Sequence, residues 1–238
     1  MTIFDWLNRL DFLRGQTAVW LVVGTAVILV LAPDARLALL ALAGQYFAAA
    51  LLFADVLDPR LVIVKLLVGW FVCLILYMTG RQVNWGRRPV DVLEEEAGPW
   101  QPPRQVVVGK YRLPVWGVQA ALAALTLLTV LWLARQPDVS LPLIPETMGY
   151  LNLAIYALAA FGVLQMALAA RPLPAGMGLF MALTGFELFY SHLDQTVLVL
   201  ALLALVNLSL ALGVSYLTQA RYTLPGSEAW DRKSKIEN

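Results

Sequence analysis

Seven apolar stretches alternate with short polar punctuation along the 238-residue chain: Thr17 to Ala32, Leu37 to Leu57, Leu61 to Thr79, Leu113 to Ala134, Gly149 to Ala170, Pro174 to Leu193 and Thr196 to Leu217. A helix needs about 20 apolar residues to cross a hydrocarbon layer roughly 30 Å thick. Each stretch therefore reads as one transmembrane helix, the first being short and able to borrow Phe12 and Leu13. Pro33-Asp34, Asp58-Pro59, Pro137-Asp138 and Arg171-Pro172 put helix-ending prolines beside charge, which predicts tight turns between antiparallel spans. The fold class expected is all-α, a polytopic membrane protein of about seven transmembrane helices.

The pattern divides the chain into an interfacial segment (1–16), a three-helix membrane unit (17–79), a loop (80–112), a connecting transmembrane helix (113–134), a second three-helix unit (149–218) and a tail (219–238). In the first segment Ile3, Trp6, Leu7, Leu10 and Leu13 recur at helical spacing opposite Asp5, Asn8, Arg9 and Asp11. That arrangement suits a helix lying in the headgroup plane or against a partner subunit. The 80–112 loop carries Arg87, Arg88 and Arg104 around Glu94, Glu95 and Glu96; it is a solvated connector or a docking segment for another subunit.

Composition agrees with the spans: 60% of residues are hydrophobic and 14% charged, with mean hydropathy +0.72, far from the balance of a soluble domain. The net charge of +1 gives no field for nucleic acid. Its distribution is more informative. Arg9, Arg14, Arg60 and Arg135 lie on the side of the amino terminus, against twelve Lys and Arg on the other, with Lys65 inside a span. The positive-inside rule then places the amino terminus outside and the long loop and carboxy terminus in the cytoplasm. No run has the flanks of a removable signal peptide, so the chain is expected to be inserted whole. The single Cys73 and single His192 give no metal cluster, and no nucleophile triad, phosphate loop or HExxH pattern occurs. No cofactor is expected, and no redox chemistry by the chain itself.

One residue breaks the apolar pattern where a charge is expensive. Glu187 sits in MGLFMALTGFELFYSHL (177–193), and a charge at mid-bilayer costs about 2.5–3.5 kcal/mol on insertion scales. Desolvation disfavours the charged form of a carboxyl group, so a residue in this position can hold a proton at rest and ionise when water or a cation approaches. The same position suits a permanently protonated acid bonded to Thr184, Tyr190 or a partner. Lys65, in LVIVKLLVGWF, is close enough to the end of its span to snorkel, or to pair with Asp55 across the Asp58-Pro59-Arg60 turn. If it faces the same interior as Glu187, it would bias that carboxyl electrostatically. Gln45, Gln119, Asn152, Gln165 and Asn207 read as interhelical hydrogen-bonding groups, each contributing about 0.6–2 kcal/mol. His192 is hydrated, paired with Asp194, or a step beside Glu187.

The stretch RPLPAGMGLFMALTGFELFYSHL followed by VLALLALVNLSLALGVSYLTQAR resembles the second and third helices of the complex I K-type subunit and the Mrp antiporter C subunit, in which a Gly-x-Glu supplies an intramembrane carboxylate. The matching residues are Gly185, Phe186 and Glu187. AGQYFAAALL around Gln45 and VIVKLLVGWFVCLILYMTGRQV around Lys65 resemble the amino-terminal part of hydrogenase-4-type membrane component E, which joins extra helices to a K-like unit. The resemblance implies a non-catalytic, non-redox subunit of a complex I-like, hydrogenase-like or antiporter-like assembly in a bacterial or archaeal plasma membrane. Its partners would be other membrane subunits and the lipid bilayer, its proton site Glu187 with Lys65 and Asp55, and its supporting polar residues Gln45, Asn207 and His192. Asn207 stands where the family commonly has a second acid, and an amide cannot take up and release a proton. Two other classes fit the same chain: a structural or assembly subunit of a respiratory or photosynthetic complex, and, less well, a small-solute carrier.

Overall fold

The computed structural model describes residues 14–83, 85, 105–108, 111–136, 139, 141 and 148–223. The amphipathic segment before residue 14, the acidic cluster of the long loop and the tail after residue 223 lie outside the described residues. Among the described residues seven helices follow one another: α1 (Gln16–Leu31), α2 (Ala35–Phe53), α3 (Pro59–Gln82), α4 (Val115–Leu133), α5 (Tyr150–Leu168), α6 (Pro172–Tyr190) and α7 (Val197–Thr223). Six are long and apolar enough to cross a membrane, and α1, at 16 residues, is the shorter exception. The molecule is therefore an all-α, polytopic integral membrane protein.

Helix ends follow backbone chemistry more closely than the apolar runs do. The second run extends to Leu57, yet α2 stops at Phe53 because Asp55, Val56 and Leu57 fold back, their N–H groups bonding to Leu52 and Phe53 carbonyls. Asp58 then caps α3 by accepting from the Arg60 N–H at 2.9 Å, with Pro59 in the first helical position, where its missing N–H costs nothing. Ahead of the last helix Asp194 closes a local turn instead, accepting from Thr196 N–H at 2.8 Å, and the helix begins at Val197. At the other face α3 and α7 continue beyond their apolar runs to Gln82 and Thr223, since a helix entering the polar interface need not break. The expected loop from Gly80 is shortened accordingly. Within it, Gln105–Val108 and Tyr111–Pro114 pair as an antiparallel hairpin, β1 and β2, with Val108 opposite Tyr111; β2 leads directly into α4.

The helices form two units of three, α1–α2–α3 and α5–α6–α7, laid side by side. Within each unit successive helices pack as antiparallel neighbours through short turns. Across the units α1 packs on α5, α2 on α6 and α3 on α7. These cross-unit pairs run parallel. Arg14 and Tyr150, just before α1 and at the start of α5, meet at Asp55, while Thr79 and Ser215, near the ends of α3 and α7, bond at 2.6 Å. The register of the two units is also alike: α1 and α2 end at Leu31 and Phe53, and α5 and α6 end at Leu168 and Tyr190, the same interval in each unit. α4 packs on α1 and α5 and supplies the extra crossing that lets the second unit run in the same direction as the first.

Close backbone approach fixes the tightest interface, between α5 and α6. A Cβ on Gly162 would lie 2.6 Å from Ala182 N, and one on Gly178 would lie 2.8 Å from the Gly162 carbonyl oxygen. In a membrane, where apolar side chains gain little from leaving lipid, such small-residue contact is a main source of helix association. Gly162 and Gly178 thus set how deeply α6 enters the bundle, and with it the position of Glu187. Phe161, Phe180, Met177, Met181 and Leu158 fill the surrounding core.

Candidate functional site: a buried ion pair between the two units

Glu187 lies one turn before the end of α6 and is the one charged residue among the fully buried described residues, at 6% exposure. Its Oε2 accepts from Lys65 Nζ of α3 at 2.8 Å, and its Oε1 accepts from Asn207 Nδ2 of α7 at 2.6 Å. One carboxylate thereby joins three helices, with the Lys65 ammonium also 4.5 Å from the centre of the Phe53 ring. The Glu187 main chain is held as well: its carbonyl oxygen accepts from the Ser191 N–H at 2.9 Å and from Ser191 Oγ at 2.7 Å. A buried charge of either sign alone would carry a desolvation penalty of several kcal/mol. Together they form a net-neutral pair with an amide dipole pointed at the carboxylate.

The pair lines a cleft of about 130 Å³ bounded by α2, α3, α6 and α7. Tyr46 of α2 lies against α3 at Gly69, where a Cβ would come within 2.5 Å of the ring. Its buried hydroxyl approaches Thr184 without forming a hydrogen bond of good geometry. Thr184 itself donates to the Phe180 carbonyl at 2.8 Å. The rest of the lining is mainly apolar, including Ala49, Ala50, Leu200 and Ala204.

Among the expected site residues, Glu187, Lys65 and Asn207 come together. Asp55 does not join them. It is bound at the amino-terminal face by Arg14, whose Nη2 is 2.9 Å and Nε 3.1 Å from Oδ1, and by the Tyr150 hydroxyl at 2.9 Å from Oδ2. The expected Asp55 and Lys65 pair is therefore absent: Asp55 faces α1 and α5, while Lys65 faces α6 and α7. Nor does Lys65 snorkel; its side chain, 11% exposed, turns inward to Glu187. Thr184 and Tyr190 are not the partners of the Glu187 carboxylate. His192 Nδ1 lies 3.1 Å from the Leu188 carbonyl oxygen and its buried Nε2 has no partner, while the Asp194 carboxylate accepts from Thr196 N–H and does not pair with it. Gln45 is 1% exposed, and neither end of its amide has a hydrogen-bond partner. Among the described residues no group of three His, Cys, Asp or Glu could hold a metal ion.

Residues not singled out from the sequence complete the arrangement. Tyr46 follows Gln45 directly, Phe53 closes α2 under the ammonium, and Gly69 lies one turn after Lys65 and makes room for the Tyr46 ring. The position of Gly69 in an otherwise bulky run, LLVGWF, is the one sequence signal that could have pointed to a side chain packed there.

The fold and this buried pair define a class, a polytopic helical membrane protein with an intramembrane carboxylate–ammonium site. No protein family, no curated protein and no solved structure matches the chain.

Proposed function

We propose that the chain is a non-redox membrane subunit of a complex I-like, hydrogenase-like or antiporter-like assembly, and that it contributes an intramembrane proton or cation site. The observation that carries this reading is the 2.8 Å contact between Lys65 Nζ and Glu187 Oε2 inside the bundle. A proton moving along that bond converts two charges into two neutral groups within one hydrogen-bond length. In a medium that solvates charge poorly, the charged and neutral forms of such a pair lie closer in energy than in water. Arrival or departure of one nearby charge can then tip the balance. Asn207 holds the carboxylate in place by donating to its Oε1, and Lys65 is the internal proton partner.

Asp55 takes a different part in this proposal from that expected. It holds the ends of α1, α2 and α5 at the face where Glu187 lies, and modulates the site through helix position only. The excess of Lys and Arg at the opposite face favours an amino terminus outside and a carboxy terminus in the cytoplasm of a bacterial or archaeal plasma membrane. The test is Glu187→Gln in the assembled complex, purified from native membranes with its partners. Proton or sodium transport falls while subunit content stays normal; unchanged transport with normal content would exclude the site.

A structural reading rests on the same geometry. Both carboxylate oxygens already have donors from α3 and α7, which suits a static clamp between helices. Under that reading Glu187→Gln lowers the amount of complex and leaves transport per complex unchanged.

A further inference from the structure

A second cavity lies at the other end of the bundle, on the face opposite Asp55, between the α1–α2 and α5–α6 turns. Its volume is about 170 Å³, roughly ten times the space that one water molecule needs. Exposed Pro33 and Arg171 and buried Ala38 and Gln165 all line it, so it runs from the turns inward. Gln119 of α4 forms part of the wall. Gln119 and Gln165 are expected to bond neighbouring helices, yet among the described residues neither side chain has a protein hydrogen-bond partner. Gln165 is the more telling of the two. It is only 7% exposed, and its amide is not sealed off but borders the cavity.

Charge in this cavity is not balanced as it is at Glu187. Among the described residues Arg171 is the one charged residue in the wall. Arg221 Nη1 donates at 2.7 Å to the carbonyl oxygen of Ala170, another wall residue, which brings a second guanidinium to the same turn. Arg36 lies 5.3 Å from the centre of the Trp85 ring, and Trp85 shares a small adjoining pocket with Arg171. The one acid described at this face, Asp34, is not part of the wall. Backbone adds to the imbalance. Asp34, in the capping position of α2, makes no side-chain bond to the helix, so the first-turn N–H groups, beginning with Ala35 in the wall, lack the usual side-chain acceptor. The start of α6 offers less, because Pro172 and Pro174 have no N–H.

A guanidinium, a helix N-terminus and a buried amide are the groups that bind an oxyanion. They come from different helices and so approach from different directions, which suits the oxygens of a tetrahedral group better than the two oxygens of a flat carboxylate. We propose that this cavity binds a phosphate group, held by Arg171, the first-turn N–H groups of α2 and the Gln165 amide. The chemistry is shared by the headgroup of an anionic phospholipid and by free phosphate. The site stands at the opposite end of the bundle from Glu187 and does not depend on the proposed proton site.

The full chain, purified in dodecyl maltoside, a neutral detergent without phosphorus, is titrated at constant ionic strength with inorganic phosphate or with monomeric dihexanoyl phosphatidate. Broadening of the ³¹P line reads binding. At least one probe binds saturably; tighter binding of phosphatidate marks a headgroup site, and equal or tighter binding of phosphate marks a site for the free ion. Arg171→Gln weakens that binding more than about tenfold, the loss expected for a hydrogen bond to a charged group, and Gln165→Leu weakens it about fivefold, as for a neutral one. Arg81→Gln, at the same face but outside the wall, leaves it unchanged. Absence of saturable broadening by both probes with a folded chain overturns the proposal. So does equal weakening by Arg81→Gln and Arg171→Gln, which means diffuse surface charge, or a folded Gln165→Leu chain that binds like the native one. Should Gln165→Leu fail to fold, the comparison of the two arginine variants decides.

Discussion

Lys65 and Glu187 stand 122 positions apart in the chain and 2.8 Å apart in the fold. Their contact crosses from the first three-helix unit to the second, so it reports on the docking of the units as well as on local charge. Removing one partner strands the other in a low-dielectric interior. Lys65→Met alone is expected to destabilise the chain by about 3–5 kcal/mol, whereas Lys65→Met with Glu187→Met together is expected to cost much less. Unfolding of the purified single and double variants in mixed micelles checks this, and additive losses would show that the pair is not coupled.

The α5 and α6 backbones approach too closely for a methyl group. Gly162→Ala and Gly178→Ala should each destabilise by about 1–3 kcal/mol through overpacking, while Gly24→Ala, where a Cβ meets nothing within 4 Å, should be neutral or slightly stabilising. Thermal unfolding midpoints of the three variants in detergent provide the comparison. Equal behaviour of all three would contradict the packing.

Asp55 is a tie for helix ends, bonded to Arg14 and Tyr150. Asp55→Asn keeps its shape and removes its charge, and a hydrogen bond to a charged group contributes about 1.5–3 kcal/mol. The expected loss of stability should be accompanied by faster proteolysis near the α2–α3 turn. Transport per assembled complex should hardly change, in contrast to Glu187→Gln.

Gly69 gives the Tyr46 ring its place. Gly69→Ala forces the ring off α3. The stability loss should be about 1–3 kcal/mol, and the Tyr46 ultraviolet difference spectrum should change. A tyrosine environment that stays the same would argue against the described packing.

Sidedness is open to direct labelling. Pro33→Cys and Thr196→Cys lie in exposed turns at opposite ends of the bundle, and the native Cys73 is buried. In intact cells a membrane-impermeant maleimide should modify Thr196→Cys and spare Pro33→Cys. The reverse pattern would invert the orientation inferred from Arg and Lys placement.

Helix order and an approximate number of spans are legible in the sequence because each hydrophobic run carries its own length signal, and turns such as Asp58-Pro59 carry their own chemistry. Glu187 is conspicuous for the same local reason. Its partner is not. The expectation that Lys65 meets Asp55 rests on nearness along the chain, but residues ten positions apart on either side of a turn can face opposite ways, and the rotation of α3 is decided by contacts with α7 that no local pattern encodes. The α1–α5, α2–α6 and α3–α7 pairing is hidden similarly: α2 and α6 have the same length and end at the same interval after α1 and α5, with few identical side chains. The β1–β2 hairpin had a readable cue, Val106-Val107-Val108 followed by Gly109, which the loop's proline content obscured.

Two parallel triplets cannot be joined in series without a return stroke, and α4 is that stroke. Its task is connection, since most of the intimate contacts that hold the bundle together are made without it. A chain severed just before β1 could therefore be supplied as two polypeptides that find each other in the bilayer, and the sequence of α4 is free to drift as long as it stays greasy and of the right span.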